Sequence, residues 1–391
     1  MKGPEAVLSE LLARSHRLAV RDIPSTVEET GRRLGLSAVQ LYVADLQQTR
    51  LIALPGTPGD AQGEETVDID SSLGGLAYRT QQVQQPRYGG TAWVPMIDGI
   101  ERIGVMKVTA PQMSPSMLDS CVALAALVTL LLVSKSPYSD VLITHERTRT
   151  MTVQAELLWA FVPPRTIGTT TVTSAAVLEP AYDIGGDAFD HNVTDGALHL
   201  TLVDAMGHDL ASGGASATAL AACRATRRSG GTLPDIATTI DRTLDQWIPG
   251  RLLTAIIAKL DSATGQLAWI NCGHPSPLLL RDGHVLPHIL DRPAQLPLGL
   301  GFYRDAPPVQ HHERLQPGDR ILMYSDGVTE ARAPDGSLFG EERLADTIIR
   351  SMAAGDNAPE ALRRLLQNLL SHQQHQLRDD ATILLSEWHP D

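Results

Sequence analysis

Apolar side chains recur every three to four residues over 7–18 and 26–34, a spacing that predicts two amphipathic helices near the start of the chain. Segments 38–44 and 50–54 are rich in apolar and β-branched residues and flank the polar stretch Asp45-Leu46-Gln47-Gln48-Thr49, so they predict two strands. Leu73-Gly74-Gly75-Leu76-Ala77 opens a short helix ahead of a glutamine-rich loop at 81–85. Segments 91–96 and 102–108 read as a hairpin around Asp98-Gly99, and 118–133 as an apolar helix. The longest apolar run, Cys121 to Val133 with Thr129 inside it, falls short of the roughly twenty residues that a membrane span needs and predicts a buried helix. The first residues, MKGPEAVLSELLARSH, lack the apolar stretch of a secretory leader.

A single helix is predicted over 139–159, with apolar positions at Val141, Leu142, Met151, Ala155, Leu158 and Trp159 and a charged middle at His145, Glu146, Arg147 and Arg149. Pro163-Pro164 stops it. Beyond residue 169 strands dominate, at 170–178, 197–203, 252–260, 267–271, 277–281, 284–290, 319–324 and 381–387. Asp282-Gly283 supplies a hairpin turn between two of them. Helices fit at 215–228, 232–247, 341–352 and 358–373. Antiparallel hairpins with long helices between them predict an α/β sandwich in place of a doubly wound parallel sheet.

In the first part, the order is helix, helix, strands, short helix, two strands, helix, with an LGGLAYRT helix set before the strand pair. This resembles a GAF domain, a small α/β sensor module. The resemblance implies a small-molecule or protein signal received there. The chain then divides into a GAF-like sensor at 1–135, a helical linker at 136–165 and a strand-rich domain at 166–391. The linker reads either as a passive connection or as a dimerising coupler.

Charge narrows the chemistry. Lys and Arg number 32 and Asp and Glu 45, for a net charge of −13. An acidic chain suits cations better than phosphate backbones, so nucleic acid is not an expected partner. Cys121, Cys223 and Cys272 are odd in number and lack zinc-ligand spacing. Cys223 and Cys272 read as small buried hydrophobes, the set fits a reducing compartment, and a cytoplasmic protein with no membrane partner is expected.

Aspartates beside glycines mark several strand ends. Ile184-Gly185-Gly186-Asp187 closes one run and Val203-Asp204-Ala205-Met206-Gly207-His208 follows the next strand. If Asp195-Gly196 is a two-residue hairpin loop, residues whose numbers sum to 391 face one another, which pairs Asp187 with Asp204. Their Cβ atoms would then lie about 5 Å apart. Like charges so close need a cation, and hard carboxylate oxygens suit Mg²⁺ or Mn²⁺. Asp326-Gly327 sits just past another apolar strand, and Asp379-Asp380 just before one. Each Asp-Gly alone reads as a turn; the combination and its order do not.

That combination, GGD, VDAMGH, NCGHPSPLLL, LPLG, PGDRILMYSDGVTEARAPDG and DDATILL, resembles the bacterial PPM/PP2C-type phosphatases of the SpoIIE and RsbU kind over about residues 150–388. The segment QAELLW before Pro163-Pro164 resembles the helix that precedes this domain in relatives. The resemblance implies an α/β sandwich of antiparallel sheets flanked by helices. It also implies a metal-dependent serine/threonine phosphoprotein phosphatase in signal transduction and stress response. The metal ligands would be Asp187, Asp204, the Ala205 carbonyl, Asp326 and Asp379, with Asp380 ranked behind Asp379. Two ions, Mn²⁺ or Mg²⁺, would sit about 3.5–4 Å apart and hold the attacking water between them, so Asp187 and Asp204 would be the catalytic pair. The implied substrate is a phosphorylated anti-anti-sigma-type regulator, with activity controlled by the sensor domain and the protein a homodimer.

The chain departs from the family pattern at Ala205 and Asp209, where the family commonly has glycine, and at Ala188, where it often has an aromatic residue. These departures motivate the alternative, a pseudo-phosphatase acting as a partner- or ligand-binding signalling module. His208 reads either as a general acid or as a polar cap of the next helix. His274 reads as a loop-fixing residue, and His311-His312 as part of a polar loop. Trp159 reads as a packing residue. No arginine beside the GGD motif offers a phosphate clamp.

Overall fold

The computed structural model describes residues 3–55, 65–194, 196–303, 306–374, 377 and 379–390. Asp195 of the expected hairpin turn lies outside the described residues. The chain forms two compact units, Met1–Thr150 and Met151–Asp391.

The first unit contains α1 (Pro4–Arg14), α2 (Ile23–Arg33), β1 (Ala38–Ala44), β2 (Arg50–Ala53), β3 (Thr66–Asp68), α3 (Leu73–Thr80), β4 (Thr91–Asp98), β5 (Glu101–Thr109), α4 (Pro115–Lys135) and α5 (Asp140–Glu146). Its five strands run in the order β3-β2-β1-β5-β4. One side of this sheet, through Leu41, Val43, Val94 and Met106, packs on Leu124, Val128 and Leu132 of α4. The other, through Tyr42, Trp93 and Val105, packs on Ala77 and Tyr78 of α3. Strand alternation produces this split, because successive side chains leave opposite sides of a sheet. Among the described residues, Pro115–Tyr138 is the one stretch long and apolar enough to cross a membrane. Its buried residues join the core on one side of the sheet, although Val122 and Leu130 are exposed.

The second unit contains α6 (Val153–Phe161), β6 (Thr166–Gly168), β7 (Val172–Glu179), β8 (Asp187–Thr194), β9 (Ala197–Ala205), α7 (Leu210–Arg228), α8 (Leu233–Trp247), β10 (Leu253–Asp261), β11 (Gln266–Cys272), β12 (Leu278–Arg281), β13 (His284–Leu286), β14 (His311–Arg314), β15 (Arg320–Tyr324), α9 (Asp326–Thr329), α10 (Gly340–Ala353), α11 (Ala358–His372) and β16 (Ala381–Trp388). Two antiparallel sheets form, β14-β11-β10-β9-β8 and β13-β12-β15-β16-β7-β6. Strand β16 is buried on both faces. Its Leu384 joins the core shared with β8, β9 and α7, whereas Ile383 and Leu385 join the core shared with α10 and α11. The unit is therefore the expected α/β sandwich of antiparallel sheets with helices packed against them.

Two local expectations fail, and two short strands had no sequence signal. The helix expected over 139–159 is two helices, α5 and α6, interrupted at 147–152. Thr148, Thr150 and Thr152 are poor interior helix residues, and the Thr152 hydroxyl instead caps α6 by accepting from the Ala155 amide. His311 and His312 are not in a loop but on the edge strand β14, which pairs with β11 from Gln266↔Arg314 to Trp269↔His311. The short strands β3 and β6 carry too few residues for an alternation signal.

Candidate metal centre

Strand β8 opens with Asp187 and β9 ends with Asp204 and Ala205. The register places Asp187 opposite Asp204 and runs unbroken to Thr194 opposite Ala197. The approach to Asp187 requires glycine. A Cβ on Gly186 would lie 2.3 Å from the Ala205 carbonyl oxygen, and one on Gly185 2.5 Å from the His208 Cα. On the facing sheet, β15 and β16 pair from Arg320↔Glu387 to Tyr324↔Ile383. Asp326 therefore leaves the end of β15 beside Asp379-Asp380 at the start of β16. Here too a glycine permits contact, because a Cβ on Gly327 would meet the Asp380 carbonyl oxygen at 2.0 Å.

Asp380 takes a part the sequence did not announce. Its carboxylate accepts hydrogen bonds from the backbone amides of Gly185 (2.9 Å to Oδ2), Gly186 (2.6 Å) and Asp187 (3.0 Å). It thus fixes the GGD loop of one sheet to the start of a strand in the other. Asp379, whose Oδ1 accepts from the Asp380 amide, is the more exposed of the doublet.

The carboxyls perturb one another. Asp187 is held well above the ordinary carboxylate range, first by burial and then by the charges of Asp204 and Asp380. Asp204 is pushed up to about 7 by burial, then by Asp326, Asp379 and Asp380. Asp326 is raised by burial and by Asp379. Among the described residues no three Asp, Glu, His or Cys side chains close into a finished ligand group. Among the described residues, two of the buried oxygens that have no hydrogen-bond partner lie at this cluster, Asp187 Oδ2 and Thr382 Oγ1. A buried, unpartnered carboxylate oxygen beside the like charges of Asp204 and Asp380 is what a divalent cation would satisfy, so the donor set fits Mn²⁺ or Mg²⁺.

The raised carboxyls have a consequence for stability. A carboxyl whose pKa is higher folded than unfolded binds more protons when folded between the two values. It therefore stabilises the fold at low pH, and that contribution is lost as pH rises through the window from about 4 to about 7. In EDTA, the melting temperature is expected to fall from pH 5 to pH 8. Asp204→Asn should reduce that fall by roughly 5 °C. Thermal unfolding at both pH values checks this, and an unchanged fall in the variant contradicts it.

The histidines separate. His274 is buried, with Nδ1 2.7 Å from the Thr254 hydroxyl and Nε2 3.1 Å from the Tyr324 carbonyl oxygen. Its backbone is held by both ends of the Asn271 amide. Burial lowers its pKa to about 4, so it braces the Cys272–Pro275 loop as a neutral ring. His208 is exposed and does not cap α7; Asp209 does, accepting from the Ser212 amide at 2.8 Å. Asp209 also pairs with Arg251 at 2.7 Å. The Ser212 amide, then Arg251, hold its carboxyl down to about 2. His311 sits on the edge strand with its ring 5.6 Å from that of Trp269. Ala188 is fully buried in the main core, and Trp159 donates its indole N–H to the Ala181 carbonyl at 2.7 Å.

Residues 194–389 match the family described as Stage II sporulation protein E (SpoIIE). The chain is 27% identical over 132 residues to Protein IcfG of a Synechocystis species, covering 34% of this chain and 20% of that protein. It is 23% identical over 234 residues to Phosphoserine phosphatase RsbU of Bacillus subtilis, covering 60% and 67%. The chain thus spans a fifth of one of these relatives and about two thirds of the other. Among solved structures, the RsbU and RsbW domains of Rv1364c from Mycobacterium tuberculosis match at 25% identity with a TM-score of 0.48, over 59% of this chain and 63% of that one. The SiaA-PP2C domain of Pseudomonas aeruginosa matches at 21% identity with a TM-score of 0.46, over 55% and 85%.

Proposed function

The chain belongs to the SpoIIE family of PP2C-type phosphatase domains, and we propose that it hydrolyses phosphoserine or phosphothreonine on a regulatory protein with two divalent cations. The observation that carries the reading is the direct opposition of Asp187 and Asp204, with Asp187 Oδ2 buried and unpartnered. Asp187, Asp204, the Ala205 carbonyl, Asp326 and Asp379 would hold the ions. Mn²⁺ or Mg²⁺ there would supply the Lewis acid that lowers the pKa of water and offsets charge on the phosphoryl oxygens.

The chain's own residues supply the frame. Asp380 holds the GGD amides, so Asp187 is presented from a fixed loop. Gly186 leaves room for the Ala205 carbonyl. Asn271, Thr254 and the Tyr324 carbonyl hold His274 in one orientation. His208 is exposed on the loop after Ala205 and can hand a proton to the leaving oxygen. The similarity to a phosphoserine phosphatase supports the substrate chemistry, and the family resemblance supports an anti-anti-sigma-type regulator as the protein that carries it.

Control by the first unit, which we read as the GAF-like sensor, belongs to the same proposal, as do a homodimer and a cytoplasmic setting. What supports control is the seat of α6, which follows directly on the first unit. The Thr152 amide donates to the Tyr182 carbonyl, and the Trp159 indole to the Ala181 carbonyl. The Phe161 carbonyl accepts from Arg224, which pairs in turn with Asp190 on β8, the strand that Asp187 begins. Dephosphorylation of a phosphoserine regulator by the full chain and by residues 151–391 tests the proposal. The expected result is turnover by both, with rates differing severalfold. Equal rates under all conditions argue against control by the first unit. Metal binding without turnover by either favours the pseudo-phosphatase reading.

A further inference from the structure

The loop between Asp204 and α7 contains the departure at Asp209, and the structure gives that residue a partner from the connection between α8 and β10. Asp209 Oδ1 lies 2.8 Å from the Ser212 amide and 2.9 Å from the Ser212 hydroxyl. Asp209 Oδ2 accepts from Arg251 Nη2 at 2.7 Å. Arg251 Nη1 reaches the Ser212 hydroxyl at 3.2 Å and the Met206 carbonyl at 3.4 Å, and the Ser212 hydroxyl is also 2.9 Å from that carbonyl. The Met206 amide donates to the Leu252 carbonyl, one residue beyond Arg251. One guanidinium thus closes over both ends of the segment 206–209. On the other side, the Ala205 amide donates to the Gly186 carbonyl, so the segment is held between the GGD loop and Arg251.

We infer that Asp209 and Arg251 form a clasp that positions the Ala205 carbonyl and Asp204 and thereby sets the affinity of the centre for its divalent cations. The inference rests on the phosphatase reading and adds to it two positioning residues. Two physical effects act together. The clasp removes slack from a loop that carries a glycine at φ +95°, Gly207, whose missing Cβ would sit 3.6 Å from Arg251 Nη1. It also balances charge, because Asp209 cancels Arg251 beside a site that must take up dications. Neutralising Asp209 loosens the loop and leaves an uncancelled cation, and both weaken metal binding. Neutralising Arg251 loosens the loop but leaves an uncancelled anion, which opposes the loss.

The charge asymmetry gives the test. Mn²⁺ binding to the full-length protein is measured directly, from the electron paramagnetic resonance signal of the free ion, for wild type, Asp209→Asn, Arg251→Ala and Arg251→Lys. Asparagine still caps the helix, so Asp209→Asn isolates the charge and the clasp from folding. The Mn²⁺ dissociation constant should rise about tenfold in Asp209→Asn, the size expected for residues that orient metal ligands, and less in Arg251→Ala, with Arg251→Lys recovering part of the loss. With p-nitrophenyl phosphate, the half-saturating Mn²⁺ concentration should rise more than kcat at saturating Mn²⁺ falls. Unchanged Mn²⁺ affinity in Asp209→Asn overturns the clasp while leaving the phosphatase reading intact. Absence of Mn²⁺ binding to wild type overturns that reading itself, and the clasp with it. A fall in melting temperature without a change in affinity assigns the pair to stability alone and also overturns the inference.

Discussion

Asp204→Ala is expected to lower kcat/KM for Mn²⁺-dependent hydrolysis of p-nitrophenyl phosphate by about a thousandfold or more, corresponding to the several kcal/mol that metal-ion catalysis supplies. The residue stands at the meeting point of the cluster, with Asp187 across the ladder and the charges of Asp326, Asp379 and Asp380 all acting on it. Its removal would take away a proposed ligand that no neighbour can replace, since those carboxyls are themselves proposed ligands or, in Asp380, occupied by three amides. The fold should survive. Taking one like charge out of a buried cluster relieves repulsion, so in EDTA at pH 8 the variant should melt no lower than wild type. Loss of activity together with a large drop in melting temperature would instead mark Asp204 as a structural residue.

Asp380→Ala should act on the fold and the centre together. It strips the acceptor from three consecutive buried amides, and buried donors left without acceptors are costly. The expected loss is about 3 kcal/mol, or roughly 6–12 °C in the melting temperature of a unit this size. Hydrolysis should fall about a hundredfold even at saturating Mn²⁺, as for other residues that orient metal ligands, because Asp187 then hangs from an unanchored loop. Asp380→Asn retains a carbonyl oxygen able to accept from the same amides and should recover part of both losses. Thermal melts and Mn²⁺ titrations of the two variants decide the matter, and an Asp380→Ala protein with wild-type stability contradicts the anchoring role.

The two variants also mark where the sequence was legible. The opposition of Asp187 and Asp204 could be read from residue numbers, because a two-residue turn and the period of two in a strand leave no freedom in the register. Strand β16 was legible for a similar reason, since the consecutive apolar residues Ile383, Leu384 and Leu385 soon after a carboxylate doublet fit a strand buried on both faces. The separate roles of Asp379 and Asp380 were not legible as mechanism. Adjacent aspartates look alike until their partners are known, and those of Asp380 lie 193 to 195 residues away. Arg251 escaped notice in the same way, being 42 residues from Asp209 and bound to a loop, not to the GGD motif. Edge strand β14 was hidden by its composition: His311, His312, Glu313 and Arg314 carry no apolar alternation, and the strand is held by its backbone pairing to β11. The break between α5 and α6 was visible only as three threonines within a stretch whose apolar spacing otherwise suits a helix.

The most direct measurement is the hydrolysis of p-nitrophenyl phosphate by the wild-type protein as Mn²⁺ is titrated in and then removed with EDTA. A saturable rise in rate with Mn²⁺, reversed by EDTA and repeated with residues 151–391, is the expected result. A rate indifferent to both additions, or no hydrolysis by either protein with Mn²⁺ or Mg²⁺, would contradict the assignment of Asp187, Asp204, Asp326 and Asp379 to a working two-metal centre.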